Sequence, residues 1–246
     1  MEIKSYGENI YTQLGWQGKT LSWCPADSEE RFNENMANAK TRAQLEQHGW
    51  TRDSISYVFN EHGFRADEFT GGVNDSVLFL GCSLTMGIGM TLEDTWAYKV
   101  ASSLGLRRYN LGVGGGGPDM CFRLAYHWIP RLKPKYVVML VPNAARMELV
   151  REPFTEQYQP NMKTTEQFYN RWLEHPANAD MNLLKCSLGV RSICDSNSVP
   201  LIETFVNDRK GVWSYQNAKD RGRDLDHPGR TWNSNVATAI LEKIGA

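Results

Sequence analysis

The sequence predicts an α/β protein whose parallel sheet is covered by helices on both faces. Residues 77–80 (Val-Leu-Phe-Leu) and 136–141 (Tyr-Val-Val-Met-Leu-Val) are short, continuous apolar runs. Such runs are typical of parallel strands that are buried on both sides. From residue 76 onward, strand-like segments alternate with segments of helical periodicity. Because parallel strands need crossover connections, this alternation indicates a helix-covered parallel sheet.

The elements of this sheet follow one another in a regular order. A helix after the first strand is expected to be capped near Thr91 and to stop near Gly105. Pro118 is placed to begin the next helix, because proline suits the first helical turn. The expected strands lie at residues 77–80, 108–111, 136–141 and 200–206, and the expected helices at residues 93–104, 120–132, 183–195 and 232–244.

Two regions lack this rhythm. Residues 1–56 are interpreted as an N-terminal extension packed on a main domain of residues 57–246. Within and beside the extension, residues 36–48 have a helical pattern, and residues 54–59 alternate as a strand would. Residues 151–180 are polar and aromatic, and are expected to form a helical excursion with loops. Its aromatic side chains are candidates for a wall over the site, although packing against the domain is the alternative; they are Phe154, Tyr158, Phe168, Tyr169 and Trp172.

Composition excludes several classes of protein. The formal net charge of −1 offers no electrostatic basis for binding nucleic acid. No apolar run approaches the roughly 20 residues of a membrane-spanning helix, and the N-terminus has no signal pattern. Five cysteines without a CxxC motif indicate free thiols. A cytoplasmic protein is therefore expected, with a virion or another signal-independent location as the alternative; the sequence does not determine the oligomeric state.

Two candidate functional residues follow predicted strands. Ser83 comes after the first buried strand and a glycine, where ligands of open parallel sheets bind, so it is a candidate nucleophile. The alternative is a turn serine bonded to local backbone. The segment is not a G-x-S-x-G elbow, because Thr85 replaces the second glycine. Asn143 ends the strand at 136–141, where its amide could donate to an oxyanion or simply form a turn.

The glycine-rich stretch at residues 112–117 contains the pattern G-x-G-x-x-G. A dinucleotide fingerprint would be followed about 20 residues later by an acid. Here the stretch follows the second strand of the sheet, and residues 130–132 are Pro-Arg-Leu. We therefore interpret these glycines as allowing a backbone N–H to approach a ligand closely.

The segment Asp224-x-x-His227 is the candidate acid–base pair. A tight turn before Pro228 and Gly229 can place the carboxylate against the imidazole, which fixes its tautomer and leaves the other nitrogen as a base. Asp226 is a competing acid, but an adjacent residue is less well placed to reach the ring. A solvated turn is the alternative. The remaining histidines have no matching context; they are His48, His62, His127 and His175.

Taken together, these segments resemble the SGNH superfamily of GDSL-type esterases and lipases, whose name lists Ser, Gly, Asn and His from four sequence blocks. The matching segments are residues 81–85, 110–115, 141–143 and 224–227, within a resemblance that covers residues 57–246. The resemblance implies a flavodoxin-like three-layer α/β/α sandwich with a five-stranded parallel sheet. Three positions depart from the family pattern: Cys82 replaces the usual Asp, Val141 the usual Gly, and Ala144 the acid that often follows the Asn.

The resemblance implies a serine esterase with a Ser-His-Asp mechanism. Ser83 would be the nucleophile, His227 the base and Asp224 the acid that orients it. The N–H groups of Ser83 and Gly115, together with the Asn143 side chain, would form the oxyanion hole. No metal or organic cofactor is expected. The expected substrate is a small-molecule ester, first of all an acetyl group on a carbohydrate or similar alcohol.

Two other functions remain open at this point. An acyltransferase would use the same three catalytic residues and differ only in the acceptor of the acyl group. A catalytically weak binding or structural protein on the same scaffold would explain the departures at Cys82 and Val141.

Overall fold

The structure is a computed structural model that describes residues 7–150, 155–160, 167–205 and 218–246. Its strands are β1 (Thr20–Leu21), β2 (Tyr57–Val58), β3 (Ser76–Leu80), β4 (Arg107–Asn110), β5 (Tyr136–Val141), β6 (Met147–Val150), β7 (Thr155–Tyr158) and β8 (Leu201–Phe205). Its helices are α1 (Ile10–Gln13), α2 (Glu29–Ala37), α3 (Ala39–Gln47), α4 (Ser83–Met86), α5 (Trp96–Ser103), α6 (Pro118–Leu132), α7 (Gln167–Leu173), α8 (Pro176–Ser196) and α9 (Arg230–Ile244). Among these described helices, none combines the length and apolarity needed to cross a bilayer.

A parallel sheet with the strand order β4-β3-β5-β8 forms the centre of the molecule. Phe79 of β3 lies opposite Asn110 of β4 and Val138 of β5. Every residue of β3 is buried, which explains its continuous apolar run. Because the strands are parallel, their carboxyl ends share one edge of the sheet, and the segments that follow β3, β4 and β5 meet there.

Each face of this sheet is covered by two helices. Leu78 and Leu80 belong to a buried cluster with α6 and α8, whereas Val77 and Phe79 belong to a second cluster with α5 and α9. Successive side chains of a strand point to opposite faces, so one strand supplies both clusters. The predicted three-layer α/β/α architecture is confirmed. The parallel sheet has four strands in the described part of the chain, where the resemblance implied five.

Some helix boundaries differ from the prediction because of capping side chains. Residues 36–48, expected as one helical stretch, belong to α2 and α3, which Asn38 separates. Asn38 is extended and its Oδ1 accepts the N–H of Lys40 at 2.9 Å, so it ends one helix and caps the next. The helix expected from residue 93 begins at Trp96, where Thr95 is the cap.

The region of residues 151–180 contains a strand that the sequence analysis did not predict. β7 pairs with β6 as an antiparallel hairpin, with Met147 opposite Tyr158. Glu148 of this hairpin forms a buried ion pair with Arg123 of α6, at 2.7 Å between Oε1 and Nη2. The pairing partner and the anchoring cation both lie outside the region, which explains why its own sequence did not reveal the strand. Residues 151–154, with Phe154, and 161–166 lie outside the described residues.

Residues 7–56 make extensive contacts with the rest of the chain. Thr20 of β1 lies opposite Val58 of β2. The Trp50 indole N–H donates to the carbonyl of Arg221 at 2.8 Å. The division at residues 56 and 57 stays a prediction, but these contacts bring the N-terminal segment to the edge of the sheet where the candidate site lies.

Candidate active site

A cavity of about 980 Å³ lies where the segments that follow the parallel strands meet. Four predicted site residues line it: Ser83, Gly115, Asn143 and His227. They come from separate parts of the chain, and the carboxyl edge of the sheet explains why three of them converge. The fifth, Asp224, is buried behind the imidazole of His227. The cavity is therefore the candidate active site.

Ser83 is the first residue of α4, immediately beyond β3. The turn before it needs a glycine, since a Cβ on Gly81 would lie 2.1 Å from Thr85 Oγ1 and 2.8 Å from the carbonyl of Leu140. N–H groups in a first helical turn have no partner within the helix. The N–H of Ser83 has no acceptor among the described residues, so it is available to a ligand in the cavity.

Asp224 and His227 are joined by a short hydrogen bond. His227 Nδ1 lies 2.5 Å from Asp224 Oδ2, and the backbone N–H of His227 donates to Asp224 Oδ1 at 3.1 Å. Burial raises the pKa of Asp224, but these hydrogen bonds outweigh it and hold the pKa below its ordinary value. The carboxylate therefore remains charged at neutral pH. It fixes Nδ1 as the donor, which leaves Nε2 as the base.

The competing acid Asp226 does not make this contact. Its backbone N–H donates to Asp224, while its own carboxylate lies 3.5 Å from the guanidinium of Arg31. Ser83 and His227 line the same cavity but share no direct hydrogen bond in the described structure. Such pairs are often long in the absence of substrate and tighten when it binds.

The turn between Asp224 and His227 is strained. Leu225 has a φ of 56°, a left-handed conformation that is unfavourable for a branched side chain. The turn is closed by Leu225 N–H donating to the carbonyl of Gly222, and Gly222 N–H donating to that of His227, each at 2.9 Å. Strain of this kind persists only where the surroundings impose it, and it is concentrated at functional sites.

A buried ion pair holds the start of this turn. Arg223 packs its side chain against Asp27, with 2.8 Å between Nη2 and Oδ2, and both side chains are at most 1% exposed. The guanidinium also donates to the carbonyls of Arg52 and Ser22, each at 2.6 Å. It lies over the Trp23 ring at 3.9 Å. Sequence analysis missed this anchor, since nothing local pairs Arg223 with an aspartate so distant in the chain.

The glycine loop after β4 presents one backbone N–H to the cavity. Asn110 holds the start of the loop, because its Oδ1 accepts the N–H of Gly112 at 2.9 Å. The N–H of Gly114 donates to the hydroxyl of Tyr11 at 2.9 Å. Gly115 has a φ of 76°, and its N–H has no acceptor among the described residues. Gly115 lines the cavity, so its N–H is available to a ligand there.

Asn143 is oriented by its own loop. Its Oδ1 accepts the N–H of Ala145 at 2.9 Å, so the Nδ2 group is the part of the amide left to donate elsewhere. The Tyr169 hydroxyl holds the same loop by donating to the carbonyl of Ala145 at 2.7 Å. Asn143 is therefore both a turn residue and a potential oxyanion donor.

The described aromatic residues of the candidate wall do not line the cavity, and Phe154 lies outside the described residues. Tyr158 and Tyr169 pack with their ring centroids 5.4 Å apart, and Trp172 stacks on Tyr169 at 6.2 Å. Polar residues from this part of the chain line the cavity instead; they are Arg146, Gln157, Gln159 and Asp180. The described aromatic side chains therefore pack against one another, which agrees with the packing alternative.

One group of side chains in the described structure has ligand atoms close enough for a metal ion. Atoms of Asp224, Asp226 and His227 all lie within 4.8 Å of one another. Asp224 already accepts hydrogen bonds from the His227 ring and from two backbone N–H groups. The hydrogen bonds among these three residues thus account for the short distances between their ligand atoms.

A comparison with solved structures finds SGNH and GDSL-type esterases among the structures to which the chain is similar. No family model matches the chain, and no curated protein matches it. AlinE4, an SGNH-hydrolase family esterase, is 16% identical, with a TM-score of 0.35 over 72% of this chain and 76% of that one. A catalytic mutant of Axe2, an acetylxylan esterase from Geobacillus stearothermophilus, is 15% identical, with a TM-score of 0.39 over 72% and 96%. The psychrotrophic esterase EstA from Pseudoalteromonas sp. is 11% identical, with a TM-score of 0.39 over 70% and 97%.

Proposed function

We propose that this protein is a serine esterase that hydrolyses a carboxylic ester. One observation carries the proposal: Ser83, Gly115, Asn143 and His227 line one cavity, and the imidazole rests on the buried carboxylate of Asp224. A nucleophile, a base, an orienting acid and oxyanion donors are the groups that acyl transfer requires. No metal or organic cofactor is needed for this reaction.

The proposed reaction has two halves. In the first half, Ser83 Oγ bonds to the acyl carbon while its proton moves to His227 Nε2. The N–H groups of Ser83 and Gly115 and the Nδ2 of Asn143 donate to the carbonyl oxygen as it becomes negative. The bond to the alcohol oxygen then breaks, and that oxygen takes the proton from His227, which leaves an acyl-serine.

In the second half, water attacks the acyl-serine. The water oxygen bonds to the acyl carbon while His227 accepts a proton from the water. His227 then gives this proton to Ser83 Oγ as the bond between Oγ and the acyl carbon breaks. The acid is released and the serine is restored. Asp224 stays ionised throughout and stabilises the protonated imidazole.

Covalent labelling tests the proposal directly. A fluorophosphonate probe is expected to form an adduct on Ser83, located by peptide mass spectrometry, because an activated serine attacks phosphorus as it attacks an acyl carbon. His227→Ala should abolish labelling, since the base would be lost. An unlabelled Ser83 in folded wild-type protein would instead favour a binding or structural protein on this scaffold.

The proposed substrate carries a small acyl group, such as acetyl, on a carbohydrate or similar alcohol. The amide of Gln159 lies 3.9 Å from the position of a Cβ on Gly115, and Gln157 and Arg146 line the same side of the cavity. Amide and guanidinium groups are suited to hydrogen-bond the hydroxyls of such an alcohol.

Chain-length dependence checks the acyl part of this proposal. The value of kcat/KM is expected to be at least about tenfold higher for p-nitrophenyl acetate than for p-nitrophenyl octanoate, because added methylenes gain little where they meet polar side chains such as those of Gln157, Gln159 and Asp180. Equal values for the two esters would contradict the small-acyl preference.

A further inference from the structure

We infer that Tyr11 is a positioning residue for the oxyanion hole, and that the N-terminal segment thereby completes the active site. The inference rests on the proposed function, because it assigns Tyr11 a role through Gly115. The Tyr11 hydroxyl accepts the N–H of Gly114 at 2.9 Å and donates to Met86 Sδ at 3.0 Å. Met86 ends the short helix that Ser83 begins. One hydroxyl thus joins the nucleophile's helix to the glycine loop.

The position of this hydroxyl is fixed from the N-terminal side. Asn9 caps α1, with its Oδ1 accepting the N–H of Tyr11 at 2.7 Å, and its Nδ2 donates to the carbonyl of Gly63 at 3.0 Å. The Tyr11 ring stacks on Trp16 at 4.9 Å and contacts Phe59 at 5.5 Å. The residue is 1% exposed, so both the ring and the hydroxyl are held by packing.

The contact determines the shape of the glycine loop. A Cβ on Gly114 would lie 2.6 Å from the Tyr11 oxygen, so the loop accommodates the hydroxyl only because residue 114 is glycine. On the other side of Gly115, the N–H of Gly116 donates to the carbonyl of Val113 at 3.1 Å. The N–H of Gly115 therefore lies between two held peptide groups. Without the hydroxyl, one of these two restraints is lost.

Burial favours the protonated hydroxyl. It raises the pKa of Tyr11, so the O–H remains a donor to Met86 across the working pH range while its oxygen accepts from Gly114. Phenylalanine would keep the ring but could do neither.

Tyr11→Phe tests the inference. We expect kcat for p-nitrophenyl acetate to fall by about tenfold to a hundredfold, because small misplacements of a catalytic group have effects of this size. KM should change little. The affinity for a boronic acid that forms a tetrahedral adduct with serine should fall by a factor similar to that in kcat, since the lost interaction belongs to the transition state.

Tyr109→Phe is the matched control. The Tyr109 hydroxyl also accepts a glycine N–H, that of Gly71, at 2.8 Å, and the residue is also 1% exposed. Tyr109 does not line the cavity. The Tyr109→Phe variant should lose about as much thermal stability as Tyr11→Phe does. It should keep the wild-type kcat and the wild-type affinity for the boronic acid.

The outcomes separate this inference from the function on which it rests. Wild-type protein that neither hydrolyses the ester nor takes the fluorophosphonate label would show that the proposed function is wrong, and the role of Tyr11 with it. If wild type is active and Tyr11→Phe keeps its kcat, the positioning role is overturned. It is overturned as well if Tyr109→Phe loses kcat to the same extent, since the effect would then follow stability alone.

Discussion

Ser83→Ala is expected to lower kcat for ester hydrolysis by about 10⁴- to 10⁶-fold, because the proposed acyl-enzyme forms on the Ser83 hydroxyl. The residual rate would come from the oxyanion donors and from substrate binding. Initial rates with p-nitrophenyl acetate measure the effect. The melting temperature should stay close to that of wild type, since alanine removes only one oxygen atom from a residue that is 8% exposed.

Cys82→Ala is the matched control for this prediction. Cys82 precedes the serine, lines the same cavity and makes no capping hydrogen bond to α4. A thiol is an alternative nucleophile, so the two single variants distinguish the two atoms. We expect Cys82→Ala to keep most of the activity and the label on Ser83. The reverse result, with Ser83→Ala active and Cys82→Ala inactive, would identify the thiol as the nucleophile.

The sheet could be predicted because its signals are local. The apolar run at Tyr136–Val141 coincides with β5, since a strand buried on both faces needs no polar positions. The cavity followed from the same reasoning, because parallel strands place the residues after them at one edge. The sequence therefore predicts that Ser83 and Asn143 converge. The roles of the site residues stay predictions until activity is measured.

The supports of the site could not be predicted because they join distant parts of the chain. Tyr11 meets Gly114 across 103 positions, and Asp27 meets Arg223 across 196. Neither contact leaves a periodicity or a motif in the sequence. Residues 7–56, expected only to pack on the main domain, contribute a buried polar contact to both the glycine loop and the histidine turn. The proposed catalytic centre, built from four segments with recognisable patterns, is thus also contacted by a fifth segment that has none.

Asp27→Ala is expected to reduce the free energy of unfolding by about 3–5 kcal/mol, because it leaves the guanidinium of Arg223 buried without its carboxylate. Asp27 is 1% exposed and also accepts the hydroxyl of Tyr57 at 2.6 Å, so the substitution leaves two donors without their partner. Urea denaturation, followed by tryptophan fluorescence, measures the change.

An exposed ion pair nearby is the control for this change. Glu29 pairs with Arg52, and both side chains are about half exposed. Glu29→Ala should therefore cost at most about 1 kcal/mol. The double variant Asp27→Ala/Arg223→Met should recover part of the stability lost in Asp27→Ala, since it removes the buried charge as well as its partner.

The same substitution should affect catalysis through the histidine turn. Arg223 adjoins Asp224, and its own N–H donates to the carbonyl of Gly89 at 2.8 Å, so the ion pair restrains the turn at its first residue. Loss of that restraint would let the strained Leu225 relax. The relaxed turn would displace Asp224 and His227 from their present positions. Under conditions where Asp27→Ala remains folded, kcat should fall while Glu29→Ala keeps the wild-type value. A folded Asp27→Ala protein with unchanged kcat would mean that the local turn alone holds His227 in place.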